Sequence, residues 1–91
     1  MPNFNRVQII GRLGKNPEKR MTRNGTAYAV FSVAVDRRWK GRDGSLKNET
    51  DWFNVEAWGK LSEICLSYLS KGRLVFVEGR LHTDQIGRAH V

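Results

Sequence analysis

The segment ETDWFNVEAWGKLSEICLSYLSKGRLVFVEGRL, residues 49–81, changes its hydrophobic period twice. Over residues 49–58 the side chains alternate. Phe53, Val55 and Ala57 are apolar, whereas Asn54 and Glu56 between them must stay in water, so this stretch reads as a strand with one buried face. Between Lys60 and Lys71 the apolar positions Leu61, Ile64, Cys65, Tyr68 and Leu69 recur at helical spacing. Gly72 is placed to end that helix in a left-handed conformation. Alternation then returns, with Val75, Val77, Gly79 and Leu81 on one side and Leu74, Phe76, Glu78 and Arg80 on the other.

Upstream, residues 5–13 alternate with Val7, Ile9, Gly11 and Leu13 on the apolar face, and residues 26–36 do so with Ala27, Ala29, Phe31, Val33 and Val35. Residues 14–20 read as a loop, Asn24-Gly25 as a turn, and the polar, basic residues 37–48 around Asp43-Gly44 as a long hairpin connection. The order strand, strand, strand, helix, strand predicts an all-β domain with one helix. It is the connectivity of the OB-fold, a five-stranded Greek-key barrel, with the fifth strand missing from this chain.

Ninety-one residues make one small domain, and the 40% apolar and 27% charged content is that of a folded one. No apolar run is long enough to cross a membrane as a helix, and MPNFNRVQII lacks the charged start and apolar core of a secretory signal. One cysteine and two histidines make neither a disulfide nor the usual zinc site, so no metal or other cofactor is expected. The charge of +7 is uneven: residues 1–47 hold eleven basic and three acidic side chains, residues 48–91 five and six. Such asymmetry favours a polyanionic partner, and no amphipathic basic helix suggests a lipid surface.

Since Phe53, Val55 and Ala57 take the core side, Trp52 and Trp58 are forced onto the polar face with Asn54 and Glu56. Trp39 follows Arg37-Arg38 outside the core pattern. Exposed rigid rings among cations suit the stacking of unpaired bases, with Arg37, Arg38, Lys40, Arg42 and Lys47 as phosphate contacts. Arg6, Arg12, Lys60, Lys71 and Arg73 are weaker candidates for the same role. Catalysis is not expected: Glu49 and Asp51 share one face, Glu56 the other, and neither His nor an activated Cys accompanies them.

Residues 3–84 resemble the bacterial single-stranded DNA-binding proteins. The resemblance rests on Asn5 through Gly14, the Asn16-Pro17-Glu18 turn, Thr50 through Val55, Trp58 through Leu61, and Tyr68 through Leu81. It implies sequence-independent binding of single-stranded DNA in replication, recombination and repair, with stacking at Trp39, Trp52 and Trp58. It also implies a homotetramer, with Phe53 at a position associated with subunit contact, and a bacterial cytoplasmic, nucleoid-associated location. Replication and repair proteins would be recruited through an acidic C-terminal tail that this chain lacks. A primosomal replication adaptor of the same fold is the alternative. The three tryptophans argue against it, because such adaptors look poorer in stacking rings.

Residues 1–85 are therefore expected to form an incomplete OB-fold single-stranded DNA-binding domain, strands one to four plus the helix. Residues 86–91, IGRAHV, fit no family pattern and can be encoded by ATC GGA AGA GCA CAC GTC, the start of a widely used sequencing-library adapter, so they are expected to be a non-native tail. A barrel short of one strand should leave unpaired backbone and uncovered core. In a domain with a margin of only about 5–15 kcal/mol, aggregation or dependence on oligomer contacts is expected.

Overall fold

The computed structural model describes residues 3–83 and 89–90. The chain runs through β1 (Val7–Leu13), β2 (Glu18–Met21), β3 (Ala27–Lys40), β4 (Leu46–Trp58), α1 (Lys60–Tyr68), β5 (Leu74–Gly79), β6 (His82–Thr83) and β7 (Ala89–His90). One sheet takes the order β5-β1-β3-β4-β7-β6, and β2 pairs with β3 off that path. β3 is the hub. One edge carries β4 along its whole length, and the other carries β2 from Ala27 to Val30 and then β1 at Val33 and Ala34.

Side-chain alternation places the core as expected. Ile9, Leu13, Ala29, Phe31, Val33, Val55 and Ala57 are buried together with Cys65 of the helix. Gly11 occupies a core-face position for a steric reason: a Cβ there would sit 2.2 Å from the Ala34 carbonyl oxygen, where β1 crosses β3.

Four features differ from the sequence reading. Residues 37–48 are not a long connection: both strands continue, and only residues 41–45 turn, closed by Gly41 N–H donating to the Ser45 carbonyl at 2.7 Å. Neither face of this extension meets the core, so no apolar alternation marks it. Part of the 14–20 loop is β2, whose four residues are all exposed and carry no alternation either. The helix ends at Tyr68, and Gly72, at φ +86°, turns the chain toward β5 three residues beyond the Leu69 cap.

The helix is also rotated from the expected stripe. Ser62, Cys65, Leu66 and Leu69 face the sheet, while Leu61, Ile64 and Tyr68 are exposed. Ser62 tolerates burial because its hydroxyl donates to the Gly59 carbonyl at 2.8 Å.

The barrel is open, as expected. Val75 and Val77 are only half-buried, and an apolar groove of roughly 800 Å³ lies between β4, α1 and β5, with Leu61, Ile64 and Cys65 on its wall. Ala89 and His90 form a two-residue strand, parallel to β4 at Asn54 and antiparallel to β6. The expected boundary after residue 85 lies outside the described residues. Among those residues no helix is long and apolar enough to cross a membrane.

Candidate nucleic-acid interface

The outer face of β3 and β4 is built by register. Directly paired residues share a face in an antiparallel sheet. The pairs Tyr28–Trp58, Val30–Glu56, Ser32–Asn54 and Ala34–Trp52 therefore form four successive rows away from the core. Neighbouring strands extend them: Arg20 of β2 pairs with Tyr28, Glu18 with Val30, and Arg12 of β1 with Ala34. Each end of the face thus has one tryptophan and, across the sheet, one arginine. Two rows lie between, one of Glu18, Val30 and Glu56 and one of Ser32 and Asn54.

Trp52 and Trp58 are 59% and 45% exposed and lie six residues apart, roughly 20 Å along an extended strand. Trp58 stacks on Tyr28, ring centroids 4.1 Å apart with planes inclined by 12°. Trp52 lies against the backbone of Gly14, where a Cβ would come within 2.6 Å of its Cζ3. Between the two rings is a groove of roughly 340 Å³ lined by Lys15, Glu18, Arg20, Ser32, Asn54 and Glu56, among others. Ser32 Oγ donates to Asn54 Oδ1 at 3.3 Å on its floor.

Trp39 is on the reverse of the hairpin. It pairs with Lys47, on the side that carries Arg37, Glu49 and Asp51. A strand touching all three tryptophans has to pass around the hairpin edge. Arg37 lies 5.5 Å from the Trp39 ring centroid, pairs with Glu49, and places Nε 2.8 Å from Asp51 Oδ2. Its charge is compensated inside the hairpin.

The other expected cations separate by location. Arg38 and Lys40 lie on the outer face, beyond Trp52, while Arg42 is in the hairpin turn. None of these, nor Lys47, forms an ion pair among the described residues. Lys60 opens the helix two residues after Trp58. Arg12 donates to the Gly72 carbonyl at 3.0 Å, and Arg6 lies 3.7 Å from Glu78, on the β1–β5 side. Arg73 lines the apolar groove, and Lys71 N–H donates to Asn16 Oδ1 at 2.8 Å. Phe53 is half-buried against the core.

Sequence reasoning missed Tyr28, Lys15 and Arg20. Tyr28 was legible as an outward residue of its strand, but its partner across the sheet was not. Lys15 and Arg20 sit in a stretch read as a loop; the pairing of β2 with β3 brings Arg20 to the groove wall, which Lys15 also lines.

An open OB-type sheet with one helix, carrying stacked and exposed aromatics flanked by arginines, defines a nucleic-acid-binding domain. Residues 4–90 match the model of the single-strand binding protein family. The chain belongs to that family. It is 46% identical over 80 residues to single-stranded DNA-binding protein 1 of Chlorobaculum tepidum, covering 88% of this chain and 49% of that protein. It is 49% identical over 81 residues to the single-stranded DNA-binding protein of Clostridium tetani, covering 88% and 54%. Among solved structures, the Plasmodium falciparum SSB in complex with ssDNA matches with a TM-score of 0.83 at 34% identity, covering 92% of this chain and 75% of that one. The chain spans about half the length of the curated relatives it matches.

Proposed function

We propose that this chain binds single-stranded DNA independently of sequence and protects it during replication, recombination and repair in the bacterial cytoplasm. The observation that carries the reading is the pair of exposed rings, Trp52 and Trp58, on one face of β4, each in a cross-strand row with an arginine. Stacking contributes about 1–3 kcal/mol per base and tolerates any base, because every base has a π-face. Arg12, Arg20, Lys15, Arg38 and Lys40 are suited to follow the phosphates along and beyond that face, and Lys60 adds a cation close to Trp58 in sequence. Trp39 and Lys47 extend the path to the back of the hairpin. Arg42 at the tip belongs to the same path. No bond is made or broken in this function.

We read the active form as a homo-oligomer, a tetramer by resemblance, with the exposed edge of Phe53 at a subunit contact. Recruitment of replication and repair proteins belongs to a C-terminal tail of the longer relatives. Titrating tryptophan fluorescence with a thymidine oligonucleotide at low and high salt tests the binding. Quenching that weakens with salt, by about 0.7 in log–log slope per neutralised phosphate, is expected. Unchanged emission over the full titration refutes it.

A further inference from the structure

Glu56 stands in the floor of the groove between the two tryptophans, two residues from Trp58 and four from Trp52. Its side chain is exposed, and its carboxylate forms no ion pair or hydrogen bond with a described residue. Glu18, in the same cross-strand row, differs: Arg20 lies 3.4 Å from its Oε2. A bare carboxylate in the floor of a groove for a polyanion repels phosphate, so the backbone is driven to the wall of Lys15, Glu18 and Arg20, which keeps one uncompensated positive charge. Bases are then turned toward the floor.

A carboxylate only accepts hydrogen bonds. Cytosine offers it the N4 amino group, whereas uracil and thymine have an acceptor oxygen at the same ring position and their one donor, N3–H, lies between two carbonyl oxygens that repel a carboxylate. We propose that Glu56 is a base-selecting residue, whose own contribution favours amino-bearing bases over uracil and thymine. The bias is laid over sequence-independent stacking, and it rests on the single-stranded DNA reading above.

The test measures dissociation constants for oligo(dC) and oligo(dU) of equal length, at one salt concentration, for the unmodified chain, Glu56→Gln and Glu63→Gln. These oligonucleotides differ at ring positions 3 and 4 and not by a methyl group. Glutamine presents both a donor and an acceptor, so Glu56→Gln is expected to shift the dC-to-dU affinity ratio about fivefold toward dU. Glu63→Gln removes the same charge from the exposed helix surface and should leave the ratio as it is. A ratio unchanged within about twofold by Glu56→Gln, or shifted equally by Glu63→Gln, overturns the inference while leaving single-strand binding intact. Failure of both oligonucleotides to bind, with no change in tryptophan emission, overturns the functional reading and this inference together.

Discussion

Tyr28 lies face to face with Trp58 across β3 and β4, ring centroids 4.1 Å apart and planes 12° from parallel. One face of Trp58 is therefore already taken by the protein, and a base has the other. The tyrosine also fixes the orientation of a ring that would otherwise sample several rotamers in solvent. Binding does not have to order it.

Tyr28→Ala is accordingly expected to weaken binding of a thymidine oligonucleotide by about three- to tenfold, the equivalent of an aromatic pair worth about 0.5–1.5 kcal/mol. Tyr28→Phe should stay within about twofold, since the ring and not the hydroxyl makes the stack. In a Trp39→Phe, Trp52→Phe background the remaining emission comes from Trp58, and its quenching at saturation should fall in the alanine variant. Equal quenching in both variants would remove the positioning role.

Two glycines separate folding from binding. A Cβ at Gly11 would lie 2.2 Å from the backbone oxygen of Ala34, in the core-side crossing of β1 and β3. Gly11→Ala should therefore cost about 1–3 kcal/mol of stability, read from the urea midpoint. A Cβ at Gly14 meets only the rim of Trp52, an exposed side chain that can swing away. Gly14→Ala should leave the midpoint nearly unchanged, shift the emission of Trp52 in a Trp39→Phe, Trp58→Phe background, and weaken DNA binding. The opposite assignment of effects would mean that Trp52 is a packing residue.

Adjacent arginines should give different salt responses. Arg37 is held by Glu49 and Asp51, so it is not free to neutralise a phosphate and release the cations condensed there. Arg38, on the other face of the hairpin, forms no ion pair among the described residues. Arg38→Ala should lower the log–log salt slope by about 0.7, and Arg37→Ala should leave it unchanged. Both remove one positive charge, so identical slopes would point to a diffuse field in place of local contacts.

The sequence was legible where a residue's surroundings repeat with a regular period. The core faces of β1, β3 and β4 could be read because water lies on one side and apolar packing on the other, and the outward placement of Trp52 and Trp58 followed from the same alternation. The hairpin extension was not legible, because both its faces are wet: Arg37, Glu49 and Asp51 hold it together by charge, in a register no periodicity encodes. For the same reason β2 passed as a loop, and with it went Lys15 and Arg20. The helix misled in the other direction. Leu61 and Ile64 look like core residues, but they wall a groove that the described strands leave uncovered, while buried Ser62 meets its need through the Gly59 carbonyl.

Cys65 reports on that groove. It is buried beside Leu61 and Ile64, and burial raises its thiol pKa above the ordinary value. The sign follows from linkage: folding favours the protonated thiol, so this contribution is fully present below the thiol pKa of the unfolded chain, about 8.5, and is lost as pH rises through the higher folded value. Stability should fall more steeply above about pH 8.5 in the unmodified chain than in Cys65→Ala. Comparing urea midpoints of the two at each pH cancels the tyrosines and lysines they share. The native thiol should also react slowly with a disulfide reagent at pH 8, and Ile64→Ala, which opens the groove wall beside it, should speed that reaction without changing DNA affinity. Parallel midpoint curves, together with a thiol that reacts as fast as it does in urea, would show that the groove is open to water down to the sulfur.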